Sequence, residues 1–233
     1  FLLLYCMKFI FMYDFFFTEN TGFTPFTLQH IWVILFLIAF GVVLIKWAKK
    51  QSEKTQIIAG NVLAFSISSS VIIGTGLKIY SGEFDIQEHL PLHLCSFLAV
   101  TAPIVSYYRK YLHYEIVFFL ILTGTFQSLV TPSSYNFMNF EFLRYWLVHA
   151  GLVIFMMYAT FIYKFRPTMK SLWKSYLGFQ VYMIVMFTIN YFLGSNYFYT
   201  NRKPDAASML DLFGDWPYYV IIVNLIVIPY FLL

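Results

Sequence analysis

Long apolar runs alternate with short polar links along the chain, and this pattern predicts a bundle of membrane-spanning helices. A helix needs about 20 mostly apolar residues to cross the hydrocarbon core of a bilayer. Seven segments approach that length, at residues 28–47, 56–79, 91–108, 113–131, 143–164, 171–194 and 216–233. The second contains the polar run "SISSS", whose small hydroxyl side chains we expect to face other helices. The predicted fold is therefore all-α, a polytopic membrane bundle of about seven transmembrane helices.

The domain organisation follows from the same pattern. Residues 28–233 are predicted to form a single transmembrane domain, in which the long link 195–215 is an outer loop. Residues 1–27 are predicted to be an interfacial or poorly ordered lead-in, because Lys8 and Asp14 interrupt their apolar run and no signal-peptide pattern is recognised. No internal repeat is visible, which argues against an inverted-repeat transporter.

Composition and charge support a membrane location and predict an orientation. The chain is 60% hydrophobic and 11% charged, whereas soluble domains carry about 25% charged residues. Most of the 15 basic residues lie in the links after the first, third and fifth segments, and most of the 11 acids lie on the other side. The positive-inside rule then places the N-terminus outside and the C-terminus in the cytoplasm of a multi-pass cell-membrane protein. The net charge of +4 forms no stripe, so no nucleic-acid partner is expected.

Polar residues gather near the predicted outer ends of these segments. A polar group in hydrocarbon is costly unless it has a partner, so the clustering predicts a polar cavity at the depth of the outer leaflet. Taken singly, a histidine near a helix end is more often an interfacial anchor or a helix-bonding group than a catalyst, and a lone cysteine is more often a small buried hydrophobe. The clustering at one depth is what favours a site. The residues of this cluster are His30, His93, Cys95, Gln127, His149, Asn190 and Asn196.

Helical spacing divides the roles within this cluster. His93 and Cys95 are two positions apart, so they point to different sides of a regular helix. A base that activates Cys95 must then come from another helix, and His149 and His30 lie at a matching depth. Glu88 precedes the helix, where an anion is favoured, and forms part of the same wall as His93. Cys95, His149 and His30 are therefore the candidate catalytic residues, with Glu88 and His93 in a binding role.

The outer loop "NYFYTNRKPDAASMLDLFGDWPYY" supplies further candidates for binding a substrate. One interpretation is an interfacial loop that Trp216 and the tyrosines anchor in the membrane. The other is a lid over the cavity, with Arg202 and Lys203 facing lipid phosphates. Tyr197 and Asp211 complete the candidate binding set of this loop.

Two other classes of function remain open at this stage. The first is a non-catalytic binder or transporter of a polar solute or metal, with Glu88, His89 and His93 around a divalent cation. Helical spacing gives His89 and His93 one shared face but no third ligand, so no metal site is predicted. The second is a scaffold subunit of another membrane enzyme. The absence of Walker, paired-glycine and zinc-protease motifs leads us to expect no cofactor, and the sequence indicates no particular oligomeric state.

Several motifs resemble the YwaF-type integral membrane proteins of bacteria, and the resemblance covers the chain after about residue 22. They are "HIW" at 30–32, "LPLHLCSF" at 90–97, Pro132, His149, the spaced Asn190, Gly194, Asn196 and Tyr197, and "KPDAASMLDLFGDWPYY" at 203–219. This group is similar to a eukaryotic transmembrane family linked to acyl transfer between phospholipids, with a cysteine proposed as nucleophile. The resemblance implies that Cys95 attacks a lipid ester, that His149 or His30 shuttles the proton, and that membrane phospholipids are the partners.

Overall fold

The computed structural model describes residues 23–132, 137–204 and 208–232, and within these ranges it contains seven α-helices and no strand. The helices are α1 Leu28–Ala48, α2 Glu53–Ser81, α3 Leu94–Tyr108, α4 Tyr111–Val130, α5 Phe140–Phe161, α6 Met169–Leu193 and α7 Tyr218–Phe231. Short 3₁₀ turns lie at Tyr197–Tyr199 and Met209–Phe213, in the loop between α6 and α7. The prediction of an all-α polytopic bundle is confirmed. Most of the predicted lead-in, residues 1–22, lies outside the described residues.

Five of the helices, α1, α2, α4, α5 and α6, are long and apolar enough to cross a membrane. The other two are shorter: α3 has 15 residues and α7 has 14. At 1.5 Å per residue they span about 22 and 21 Å, less than the hydrocarbon thickness of about 30 Å. Many large apolar side chains of α1 are exposed, among them Trp32, Phe36 and Val43. An exposed apolar face of this kind is the surface that a membrane protein presents to lipid.

The central helix of the bundle is α5, which packs against α1, α2, α3 and α4. Glycines allow α2 and α5 to approach closely. A Cβ atom added at Gly151 would lie 3.0 Å from the side chain of Ile67, and one added at Gly60 would lie 1.9 Å from the Tyr163 hydroxyl. Small residues at such contacts are typical of helix packing in membranes, where close van der Waals contact drives association.

The start of α3 differs from the sequence-based expectation. The predicted segment begins at residue 91, but the helix begins at Leu94. The preceding backbone forms turns, because the amide of His89 donates to the Asp85 carbonyl (2.8 Å) and the amide of Leu90 donates to the Tyr197 hydroxyl (3.0 Å). His93 is therefore the residue that precedes the helix, and Cys95 lies in its first turn. The prediction that both residues lie on one regular helix is correct for Cys95 and wrong for His93.

Polar contacts also join the helices at the other end of the bundle, away from the start of α3. The Ser106 hydroxyl donates to Asn61 Oδ1 (2.8 Å), which joins α3 to α2. Buried Glu115 on α4 accepts a hydrogen bond from Ser171 (2.9 Å) and forms an ion pair with Lys174 on α6. These contacts give the buried polar groups their hydrogen-bond partners, so at this end of the bundle they stabilise the packing of the helices.

Candidate functional site

A cavity of about 590 Å³ lies among α3 to α7 and the loop that follows α6. This volume is within the range of about 300–1,000 Å³ that is typical of ligand pockets. Its polar lining includes His93, Cys95, Gln127, Ser128, Arg144 and His149. Four of the candidates from the sequence, Cys95, His149, His93 and Gln127, therefore share one cavity, which we call the Cys95 cavity.

The rest of this cavity is largely apolar. Its apolar wall is built by Leu120 on α4, Phe179 and Met183 on α6, and Val223 and Phe231 on α7. The cavity thus has a polar end beside Cys95 and a long apolar wall. A ligand that fills it must combine a polar group with a hydrocarbon part.

Cys95 is half-buried in the first turn of α3, at the polar end of the cavity. The first backbone bond of the helix joins the amide of Phe97 to the carbonyl of His93 (2.9 Å), and the His93 side chain makes no capping hydrogen bond. The amides of the first three helical residues therefore have no partner within the helix, and the positive end of the helix dipole lies beside the sulfur. The Ser128 hydroxyl of α4 contacts the same thiol.

His149 is oriented as a proton acceptor. Its Nδ1 lies 2.8 Å from the Tyr145 carbonyl, which only accepts, so Nδ1 carries the ring proton. Nε2 then holds the basic lone pair of the neutral ring. The hydroxyl of Tyr145 donates to the Ser128 carbonyl (2.6 Å). The same tyrosine thus orients His149 and fixes α5 against the part of α4 that contacts Cys95.

His30 has a different environment. Its Nε2 donates to the Leu129 carbonyl (2.8 Å), and its Nδ1 accepts from the Phe26 amide (3.1 Å). The side chain is buried and does not line the Cys95 cavity. Because both ring nitrogens are engaged, His30 joins the start of α1 to the end of α4. The geometry therefore favours His149 over His30 as the base.

Asn190 lies outside the cavity lining and is fully hydrogen-bonded inside the protein. Its Oδ1 accepts from the Ser195 hydroxyl (2.7 Å) and the Tyr197 amide (2.8 Å). Its Nδ2 donates to the Tyr197 carbonyl (2.8 Å) and the Thr200 hydroxyl (2.7 Å). These four bonds fix the turn after α6, which is a structural role.

Asn196 and Tyr197 also shape the loop rather than the cavity wall. Asn196 accepts from the Arg202 amide (3.1 Å) and donates to the Arg202 carbonyl (2.9 Å). The Tyr197 hydroxyl donates to the Ile86 carbonyl (2.6 Å) and accepts from the Leu90 amide. Burial raises the pKa of Tyr197, so the hydroxyl keeps its proton. Tyr197 thereby holds the turn that leads into α3 and positions Cys95.

The loop after α6 covers one side of the Cys95 cavity, with Phe198, Tyr199, Thr200, Pro204 and Leu210 in its lining. Other side chains of the loop hold it in this position. Trp216 donates its indole N–H to the Thr200 carbonyl (3.1 Å), and Lys203 pairs with Asp215 (3.2 Å) and Asp211 (3.8 Å). Both interpretations of the loop fit this arrangement, since Trp216 is exposed as an interfacial anchor would be.

Arg144 was missed in the sequence analysis. It lies on α5, lines the Cys95 cavity, and donates through Nε to Glu141 (3.0 Å). Gly74 of α2 makes room for it, because a Cβ atom there would lie 2.9 Å from Arg144 Cδ. An ionisable residue within a predicted span is a functional candidate in itself, and that signal was available at residue 144.

A second, smaller cavity of about 150 Å³ lies on the other side of Arg144. Glu88 lines this cavity rather than the first, together with Lys78, His89 and His93. The His89 Nδ1 accepts from the Asp85 amide (2.8 Å). Within the described parts of the chain, no three His, Cys, Asp or Glu side chains are grouped so that they could hold a metal ion.

The comparison with known proteins identifies a family for this chain. No curated protein and no solved structure matches the chain. The model of the TMEM164 family matches residues 25–233, which include all seven helices and both cavities. The chain therefore belongs to the TMEM164 family.

Proposed function

We propose that this protein is a membrane acyltransferase that moves a fatty-acyl group from one phospholipid to another through a thioester on Cys95. The observation that carries the proposal is that Cys95 and the oriented base His149 line the same cavity, whose other wall is apolar. The likeness of the motifs to YwaF-type proteins, and through them to phospholipid acyl transfer, supports the choice of substrate. Family membership alone supports only a membrane protein.

The first half-reaction acylates the cysteine. His149 Nε2 takes the thiol proton while the sulfur of Cys95 attacks the carbonyl carbon of the lipid ester. The carbonyl oxygen becomes an oxyanion, which the amides at the start of α3 that have no partner within the helix stabilise. The ester C–O bond then breaks, and the leaving lysophospholipid oxygen takes the proton from His149. The product is an acyl thioester on Cys95.

The second half-reaction transfers the acyl group to a new lipid. A lysophospholipid hydroxyl gives its proton to His149 and attacks the thioester carbon. The C–S bond breaks, and the sulfur of Cys95 recovers the proton from His149. The reaction is an exchange of one ester for another, so it requires neither a redox partner nor a cofactor.

The apolar wall of α4, α6 and α7 holds the acyl chain in this scheme. Because the acyl chain is already out of water in the bilayer, this wall contributes van der Waals packing rather than a hydrophobic gain. Gln127, at the polar end, is positioned to donate to an ester oxygen, and the loop after α6 limits the access of water. Exclusion of water protects the thioester from hydrolysis and favours transfer to a lipid.

The test is an acyl-exchange assay in proteoliposomes that contain an isotopically labelled acyl donor and a lysophospholipid acceptor, followed by mass spectrometry. Wild-type protein should transfer the label, and Cys95→Ala should abolish the transfer. His149→Ala should lower the rate about 100-fold, as expected for a lost general base. His30→Ala is the matched histidine control and should retain the rate per mole of folded protein. Undiminished exchange in Cys95→Ala would refute the proposal.

We also propose the orientation that the loop charges predict, with the N-terminus outside and the Cys95 cavity in the outer leaflet of the cell membrane. Single cysteines introduced at Gly82 and at Gln51, in a background in which Cys6 and Cys95 are both replaced by alanine, should distinguish the two sides. A membrane-impermeant thiol reagent applied to intact cells should label the variant at position 82 and leave the one at 51 unlabelled. The opposite labelling would reverse the orientation.

A further inference from the structure

The second cavity differs in chemistry from the first. It lies where α2, α5 and the turn before α3 meet, and its lining carries Lys78, Arg144 and Glu88. Its volume of about 150 Å³ equals that of about five water molecules, at about 30 Å³ each. A space of this size and charge suits a small polar group with both signs of charge.

This cavity borders the Cys95 cavity. Arg144, His93 and Ser96 line both spaces. His93 is the residue immediately before α3, and Cys95 lies two positions further along the chain. A ligand with its polar group in the small cavity and its hydrocarbon part in the large one would therefore pass beside the thiol.

The charged groups of the small cavity are available to a ligand. Neither Lys78 nor Glu88 belongs to an ion pair anywhere in the described ranges. Arg144 uses Nε and Nη2 for its pair with Glu141, and Nη1 takes no part in that pair. A half-buried charge gains most from a ligand of opposite sign, because charge-assisted hydrogen bonds are about twice as strong as neutral ones.

We infer that the second cavity is the headgroup subsite of the enzyme and that it binds a zwitterionic phospholipid headgroup. Arg144 and Lys78 hold the phosphate, and Glu88 at the rim holds the ammonium group. An anionic headgroup without an ammonium group would leave Glu88 beside the phosphate and is disfavoured. A neutral lipid without a phosphate leaves Lys78 unpaired and Arg144 paired only with Glu141. The inference rests on the proposed acyl transfer and names the substrate class that the same site selects.

The test uses the exchange assay with three donors that carry the same labelled acyl chain: phosphatidylethanolamine, phosphatidylglycerol and diacylglycerol. Wild-type protein should prefer the ethanolamine lipid. Lys78→Gln and Arg144→Gln should each raise the KM for that lipid about tenfold, as expected for one lost charged hydrogen bond, and should raise the KM for diacylglycerol less. Glu88→Gln should reduce the preference for the ethanolamine over the glycerol headgroup.

The outcomes separate the two proposals. If wild-type protein exchanges no lipid, the acyl-transfer proposal fails. If wild-type protein exchanges all three lipids equally, or the variants lose all three in parallel, acyl transfer stands and the headgroup subsite is refuted. Inorganic phosphate is the control for a free-anion site. Inhibition by inorganic phosphate as strong as that by soluble phosphoethanolamine would also overturn the lipid assignment.

Two glycines provide a test that leaves every charge in place. Gly74→Ala should push Arg144 aside and weaken the headgroup preference as Arg144→Gln does. Gly76→Ala is the matched control on the same helix, since a Cβ atom there meets nothing within 4 Å, and it should leave the preference intact. An unchanged preference in folded Gly74→Ala would contradict the role of Arg144.

Discussion

Asn190 provides a quantitative test of how the loop over the Cys95 cavity is held. The sequence alone predicts a substrate-binding role for this residue, whereas its four hydrogen bonds all go to the turn after α6. Substitution by alanine removes these bonds together. The variant therefore distinguishes a residue that builds the loop from one that binds a ligand.

The expected loss of stability follows from which groups lose a hydrogen-bond partner. Asn190→Ala leaves the amide and the carbonyl of Tyr197 unpaired in a site where Asn190 is 1% exposed and Tyr197 is 0% exposed. Each unpaired buried group costs about 1–3 kcal/mol, so the free energy of unfolding should fall by about 2–6 kcal/mol. The hydroxyls of Ser195 and Thr200 add less, because a hydroxyl can rotate towards another acceptor.

Asn196→Ala is the matched control, since it removes three hydrogen bonds of the same loop that are exposed to solvent. Water can replace those bonds, so the cost should be only about 0.5–1.5 kcal/mol. The free energies can be measured in detergent micelles by denaturant titration followed by Trp fluorescence. Equal costs for the two variants would refute the reasoning. Normal stability of Asn190→Ala with a raised KM would establish a substrate contact instead.

Two further predictions concern the packing of the helices. Lys174→Ala should destabilise the protein more than Glu115→Ala, because Lys174 is 41% exposed and can reach water when left alone, whereas Glu115 is 3% exposed and cannot. The reverse order in denaturant unfolding would contradict the burial of Glu115. Gly60→Ala should cost about 1–3 kcal/mol, because its Cβ would overlap the Tyr163 hydroxyl. Gly76→Ala should be neutral or stabilising by up to about 1 kcal/mol. Equal melting temperatures for the two glycine variants would contradict the close contact of α2 with Tyr163, just beyond the end of α5.

The helices and the position of the cavity are predictable from local patterns. Apolar runs determine which segments become helices, and the alternation of direction brings the starts of α3 and α5 to one end of the bundle. Cys95 and His149 share a cavity for that reason. The position of a residue along its segment thus predicts the depth of that residue in the membrane, even when the packing of the helices is not known.

Contacts between distant residues account for what the sequence does not reveal. The start of α3 depends on Tyr197, which is 107 positions from Leu90. The choice between His149 and His30 depends on which ring nitrogens are already engaged, as at Leu129. The pattern of apolar and polar residues along the chain contains neither of these two contacts. Arg144 is the exception, since its charge within a predicted span was a local signal.

Detection of the acyl thioester on Cys95 is the most direct test of the proposed mechanism. Purified protein incubated with a labelled acyl phospholipid, without acceptor, is analysed by intact-protein and peptide mass spectrometry. Acyl transfer through Cys95 predicts a mass increase of one acyl group, located on Cys95, released by neutral hydroxylamine and absent from Cys95→Ala. An acyl group on another residue would contradict the proposed mechanism. So would acyl exchange by wild-type protein with no adduct on Cys95, together with equal exchange by Cys95→Ala.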